Sequence, residues 1–277
     1  MSANCINMNT IVGSHDIVFI TLDTLRFDVA TSAMKKGLLP VLQSFFNQWQ
    51  RRHSPGSFTY AAHHAFFAGF LPTPMDEPLA PRLMALDFEG SRSVDDNTKQ
   101  FQAPTIIAGL EQEGYATVCI GGVGFFNQLN PLGCVLPDLF QHRFWSDNMG
   151  VTCPDSTKHQ VNKALNCLRT IQETQRLFLF MNISALHQPN YFYRENNAAS
   201  KKAGDDVVSQ SAALSYVDAQ LQPLFEAFKH RSNTLFIMCS DHGTCYGEQG
   251  YSGHRLAHEQ VWTVPYAEFI QEKHLCE

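Results

Sequence analysis

Residues 234–265 read TLFIMCSDHGTCYGEQGYSGHRLAHEQVWTVP. The stretch opens with Leu235, Phe236, Ile237, Met238 and Cys239, apolar on both faces and bounded by polar residues. A short run of this kind reads as a strand buried inside a parallel sheet. It ends in Ser240, Asp241, His242 and Gly243. In open α/β sheets, ligands bind beyond the carboxyl ends of the strands. A carboxylate and an imidazole side by side at that point are placed to hold a metal ion. Gly243 is expected to let the chain turn sharply away. His254 and His258 follow, with Arg255 next to the first.

Working outward, Asp16 to Asp23 (DIVFITLD) reads as a first buried strand that delivers Asp23 to its end. Taken alone, Asp23 reads more readily as a helix N-cap after a βα turn than as a ligand. Residues 176–183 (RLFLFMNI) read as another buried strand, with His187 in the loop beyond it. A further strand is expected at 115–120 (YATVCI), and helices at 104–114, 155–173 and 205–229. Leu39, Leu42, Phe45, Phe46 and Trp49 recur at helical spacing and predict a surface helix over 38–51. Residues 60–67 also follow a helical pattern, which sets Thr59 at the helix start. Unpaired amides and the dipole favour an anion there. The plainer reading makes Thr59 a cap, and His63 and His64 helix-surface residues. Asp218 on the 205–229 helix reads as a surface or capping residue.

Strands alternating with helices predict an α/β fold. The expected architecture is a three-layer αβα sandwich around a mostly parallel sheet. One domain is expected over 16–277, after a loose polar leader over 1–15. Excursions that resemble lids are expected near 74–100 and 125–155. The 277 residues suffice for a sizeable core. A net charge of −6 speaks against nucleic acid as a partner. Eight cysteines without a CxxC pair read as free thiols in a reducing cytosol. No stretch reads as a signal peptide, and none approaches the roughly 20 apolar residues of a membrane span. The expected location is therefore cytoplasmic, with no membrane partner.

Asp23, His187, Asp241 and His242 at strand ends, with Thr59 at a helix start, are hard to read as independent coincidences. Their order carries a family resemblance. Leu22-Asp23-x-x-Arg26, a loop and helix ending in Gly69-Phe70-Leu71-Pro72, His187-x-Pro189, and Ser240-Asp241-His242-Gly243 resemble the alkaline phosphatase and sulfatase superfamily. The last segment, through Gly247-Glu248 to Val264-Pro265, follows the sulfatase pattern without a gap. The resemblance implies an alkaline-phosphatase-like core and a divalent metal held by Asp23, Thr59, Asp241 and His242. It places Thr59 where sulfatases carry the Cys or Ser that becomes formylglycine, and where pyrophosphatase-type members carry a nucleophilic threonine. It makes His187 and His254 substrate-binding groups. His63, Arg255 and His258 stand in second rank, for a second metal or for substrate.

The departures redirect the chemistry. Threonine cannot become formylglycine, His63 replaces the arginine of the Cys/Ser-x-Pro/Ala-x-Arg motif, and Thr24 replaces the second aspartate of the first strand. Gly121-Gly122 replaces a Gly-Lys. The expected function is therefore phosphoester (mono- or diester) or phosphonate-ester hydrolysis, with a sulfuric ester a weaker candidate. The substrate is a small anionic ester. Alternatives are a phosphotransferase or mutase of the same superfamily, and a non-catalytic metal- or anion-binding accessory protein. Mixed Asp and His ligands suit Zn or Mn better than Ca, with Mg also admissible, as one or two ions.

Overall fold

The computed structural model describes residues 6–69, 82–87, 94–195 and 201–274. Its strands are β1 (Asp16–Leu22), β2 (Gln50–His53), β3 (Met84–Leu86), β4 (Lys99–Phe101), β5 (Ala116–Ile120), β6 (His142–Phe144), β7 (Leu177–Ile183), β8 (Thr234–Cys239), β9 (Cys245–Tyr246), β10 (Ser252–Gly253) and β11 (Thr263–Gln271). Seven of them form one sheet in the order β2-β11-β8-β1-β7-β5-β6. The inner pairs β8-β1, β1-β7 and β7-β5 are parallel, as is the edge pair β5-β6. Only β11 runs against its neighbours β8 and β2. This is the α/β architecture with a mostly parallel, doubly covered sheet that the strand pattern predicts.

The three central strands are buried at every position. Their side chains still alternate between two cores, because successive residues of a strand point to opposite faces. Val18, Ile20, Leu22, Leu179 and Met181 face the layer of helices 27–35, 156–170 and 207–231. Ile17, Phe19, Phe178 and Phe180 face helices 59–68 and 106–112, with Phe67, Phe126 and Phe140. Each fully buried Leu, Ile or Phe contributes about 1.5–3 kcal/mol. Among the described residues no helix is long and apolar enough to cross a membrane.

Several sequence expectations are changed or refined. The helix expected over 38–51 is one turn, Pro40–Gln43, followed by edge strand β2. Phe45, Phe46 and Trp49 instead pack in an aromatic cluster with Phe225 and Phe269, so the apolar spacing served tertiary packing rather than a helix face. Residues 6–15 are not loose: the short helix Met8–Ile11 buries Met8 and Ile11 in the Phe-rich core. The excursion at 125–155 returns a strand, β6, to the sheet. Of the excursion at 74–100, residues 74–81 and 88–93 lie outside the described residues, and the rest includes the parallel pair β3-β4. Asp218 is a cap, but for another element: its carboxylate accepts from the amides of Val41 and Leu42 at 3.0 and 2.8 Å.

Candidate metal centre and nucleophile

Asp23 follows β1 and Asp241 follows β8, so the two adjacent parallel strands deliver both carboxylates to one end of the sheet. His242 comes next to Asp241. One ligand atom from each of Asp23, Asp241 and His242 lies within 4.8 Å of the other two, and all three residues are buried. Each carboxylate is held by one oxygen. Asp241 Oδ1 accepts from the amides of Thr24 (3.1 Å) and His242 (3.0 Å). Asp23 Oδ2 accepts from Asn182 Nδ2 at 3.0 Å. The other oxygens, Asp23 Oδ1 and Asp241 Oδ2, are buried without a hydrogen-bond partner. His242 Nδ1 lies 2.9 Å from the Gly243 carbonyl, which can only accept, so Nδ1 carries the proton and Nε2 is left as a bare lone pair. Two orphaned carboxylate oxygens and one bare imidazole nitrogen converging on a point fit a divalent cation.

Without such a cation the carboxylates are strained electrostatically. Burial, then the Asp241 charge, raises Asp23 from 3.8 to about 6. Burial raises Asp241 to about 7, against the opposing pull of the Thr24 and His242 amides. Burial also lowers His242, although the Asp23 charge opposes it.

Thr59 opens the helix Thr59–Ala68 as its first residue, after extended Phe58, and Gly69 ends it in the left-handed conformation at φ +75°. The side chain is 2% exposed. Its Oγ1 lies 3.3 Å from Asp23 Oδ2 and 3.3 Å from His242 Nε2. The first amides of a helix have no intrahelical acceptor, so the hydroxyl sits beside unpaired donors and beside the ligand cluster. His187 and His254 stand next to it. The His254 ring centroid is 4.5 Å from that of His242 and 5.8 Å from that of His187. His187 Nδ1 donates to the Gln188 carbonyl at 2.6 Å, which frees Nε2. His254 Nδ1 is buried and unpartnered. Burial first, then His242 and His187, push His254 down to about 3, so its ring is neutral.

The second-rank residues separate. His63 is buried beneath the cluster, not on a helix surface. Its Nδ1 donates to the Thr59 carbonyl at 2.7 Å and its Nε2 lies 3.0 Å from Thr21 Oγ1, so both nitrogens are used within the chain. Phe66, Phe67, Phe126 and Phe180 surround it. Arg255 is exposed, with φ +70°, and its guanidinium lies 5.4 Å over the Phe58 ring. His258 caps the short helix Glu259–Trp262: its Nδ1 accepts from the Gln260 amide at 3.1 Å. That nitrogen is spent on a local turn.

Asn182 was not singled out from sequence, and several other residues support the site in ways the sequence did not show. Asn182 is the one amide in an otherwise apolar strand, on the same face as Phe178 and Phe180, and it pairs in register with Thr21. Thr24 adopts φ +62°, and its hydroxyl donates to the Leu186 carbonyl at 3.1 Å, tying the loop after β1 to the His187 loop. Glu248 pairs with Arg26, which also holds Asp28 at 2.7 Å, and this joins the segment after β8 to the loop after β1. Gly243 is needed for a reason other than a sharp turn. A Cβ there would lie 1.9 Å from the Gln260 carbonyl oxygen.

Comparison with known proteins agrees with this fold. No curated protein sequence matches the chain. Solved structures do. The soluble domain of lipooligosaccharide phosphoethanolamine transferase A from Neisseria meningitidis is 14% identical, with TM-score 0.61 over 98% of this chain and 78% of that one. The lipoteichoic acid synthase LtaP from Listeria monocytogenes is 13% identical, with TM-score 0.62 over 98% and 68%. The C-terminal periplasmic domain of EcEptC from Escherichia coli, in complex with zinc, is 15% identical, with TM-score 0.60 over 94% and 74%. At such identities the likeness is one of fold. The sequence profile of the Sulfatase family, however, matches residues 15–267, nearly the whole chain, and the protein belongs to that family.

Proposed function

We propose that the chain transfers phosphoryl-type groups from small anionic esters through Thr59, with water as the acceptor. One observation carries this reading. The Thr59 hydroxyl lies 3.3 Å from both Asp23 and His242, beside two carboxylate oxygens that have no partner. Asp23, Asp241, His242 and the Thr59 oxygen would hold a divalent cation, which lowers the hydroxyl pKa and polarises the phosphorus centre. Zn or Mn suits these donors best.

The remaining steps belong to the chain's own residues. Thr59 Oγ1 attacks phosphorus as the bond to the leaving oxygen breaks, and a phosphothreonine forms. The unpaired amides at the start of helix 59–68 face the new negative charge. His254 is neutral and acts as a hydrogen-bond donor to a non-bridging oxygen rather than as an acid. His187, whose Nε2 is free to accept, is assigned to take the Thr59 proton and hand it to the leaving oxygen, which departs as the alcohol. Water then attacks phosphorus, the bond to Oγ1 breaks, and Thr59 is regenerated. A second reading replaces water with an alcohol. The transferase and the synthase among the similar structures support it. We also propose a cytosolic location, in keeping with free thiols at six described cysteines.

The test is turnover on aryl phosphate mono- and diesters, a phosphonate ester and a sulfate ester, with Zn, Mn, Mg or Ca and with or without an alcohol acceptor. Phosphoester turnover that Thr59→Ala and Asp241→Ala both abolish supports the reading. Product partition between water and alcohol decides hydrolysis against transfer. Turnover of the sulfate ester alone overturns the reading. Metal and ligand binding that survives Thr59→Ala, with no turnover by the wild type, would make this a binding protein.

A further inference from the structure

Beneath the ligand cluster, four fully buried polar residues form a closed circuit of hydrogen bonds. Asp23 Oδ2 accepts from Thr59 Oγ1 at 3.3 Å and from Asn182 Nδ2 at 3.0 Å. Asn182 Nδ2 also donates to Thr21 Oγ1 at 3.2 Å. Thr21 Oγ1 lies 3.0 Å from His63 Nε2, and His63 Nδ1 lies 2.7 Å from the Thr59 carbonyl. The path therefore leaves Thr59 through its hydroxyl and returns to it through its carbonyl. Thr21, His63, Asn182 and Asp23 are all 0% exposed, and water cannot substitute for a missing partner without entering the Phe-rich core.

The direction of every bond in this circuit is forced. The Thr59 carbonyl only accepts, so His63 Nδ1 bears the proton and Nε2 is an acceptor. Thr21 must then spend its single hydroxyl proton on His63. Its oxygen is left to accept from Asn182. The Asn182 orientation is set independently, because its Oδ1 accepts from the Val123 amide at 3.0 Å. Both Asn182 protons are thereby committed, one to Thr21 and one to Asp23. Reversing any one bond would leave two donors or two acceptors facing each other in a dry site, which costs more than an ordinary hydrogen bond.

We infer that Thr21 is a positioning residue: beside the direct hydrogen bond from Thr59 to Asp23, its Oγ1 closes a second path that couples the placement of the nucleophile to that of the Asp23 carboxylate. It touches neither substrate nor metal ligand. It acts through His63 on Thr59 and through Asn182 on Asp23. This deepens the nucleophile reading and rests on it for its effect on turnover, but its structural part does not.

Thr21→Val keeps the shape of the side chain on a buried strand and removes the hydroxyl. It leaves His63 Nε2 without a donor and one Asn182 proton without an acceptor. The metal affinity of the variant is expected to fall about 10- to 100-fold, the size seen when groups orienting a ligand are lost. At saturating metal, kcat is expected to fall by roughly the factor of a hundred that a small misplacement costs, with KM little changed. Thr21→Ser restores both. A nitrogen-15 spectrum of wild-type metal-free protein is expected to show His63 as the Nδ1–H tautomer, with Nε2 as a hydrogen-bonded acceptor. Thr21→Val is expected to shift that Nε2 signal. An Nε2–H tautomer in the wild type overturns the inference, as does a valine variant with unchanged metal affinity. Correct tautomer and weakened metal binding, in a protein that turns over no ester, would instead sustain the circuit and sink the proposed function.

Discussion

β1 begins with Asp16 and is followed directly by Asp23, and both side chains are 0% exposed. The two are treated in opposite ways. At the amino end of the sheet, Asp16 is fully satisfied. Its Oδ1 accepts from the Leu177 amide at 2.9 Å, and its Oδ2 from Arg231 Nε at 2.8 Å and Ser232 Oγ at 2.6 Å. Arg231 spends its other protons on the carbonyls of Ile171, Gln172 and Gln175. At the carboxyl end, Asp23 faces a second carboxylate instead of a cation, and each of the pair keeps an oxygen without a partner. A buried charge that is completely paired holds the fold together. A buried pair of like charges with orphaned oxygens is tolerated only where something else completes it.

The largest expected effect is chemical. Thr59→Ala should lower turnover on the order of 10⁴-fold or more while metal still binds, as steady-state kinetics and a metal titration would show. A variant retaining more than a tenth of wild-type turnover would remove the nucleophile from Thr59.

Stability separates the two ends next. Arg231→Ala strands the Asp16 carboxylate in the core and should cost about 3–5 kcal/mol in urea unfolding. In metal-free protein Asp241→Asn should cost far less, because it removes one of two repelling charges. Equal losses at the two ends would break the contrast.

pH and metal sharpen it. Asp23 and Asp241 are raised in the folded state from 3.8 to about 6 and about 7, so the folded metal-free protein holds protons that the unfolded chain has already lost. Their contribution is complete below about pH 4 and is lost as pH rises through about 7. Thermal unfolding of metal-free protein should show this decline, and Asp23→Asn should flatten it. Free metal at a hundred times its dissociation constant should add about 2.7 kcal/mol at neutral pH. A pH profile that is the same in Asp23→Asn as in wild type would contradict the unpaired state of these carboxylates.

The smallest effect belongs to an ion pair that resembles neither end. Arg51 and Glu259 meet at 2.6 Å on the surface, with side chains 60% and 65% exposed. Glu259→Gln should change stability by less than about 1 kcal/mol, since water screens such pairs. A larger loss would mean that edge strand β2 depends on it.

Much of this was legible in the chain. The apolar runs at 16–22, 177–183 and 234–239 marked the central strands because those strands are buried on both faces. Asp23, Thr59, Asp241 and His242 were legible as a set because each lies within three residues of a strand end or opens a helix. The edge strands were not. Gln50–His53 and His142–Phe144 are short, polar and largely exposed, so their hydrogen bonds to neighbours leave little hydrophobic pattern. Nor was His63, which helical spacing left as a surface residue until Phe126 and Phe180 closed over it.

What the amino-acid sequence determined by itself was which strands are buried, where they end and which polar residues stand at those ends. Local pattern suffices for that, since burial and chain direction are written into each segment. The tertiary structure alone decided which oxygen of each carboxylate is held and which is left without a partner. It also decided that His63 and Asn182 meet on Thr21, and that Gly243 is required by the Gln260 carbonyl. The contacts among His63, Asn182 and Thr21 and between Gly243 and Gln260 join residues 17 to 161 positions apart along the chain, and no local periodicity encodes them.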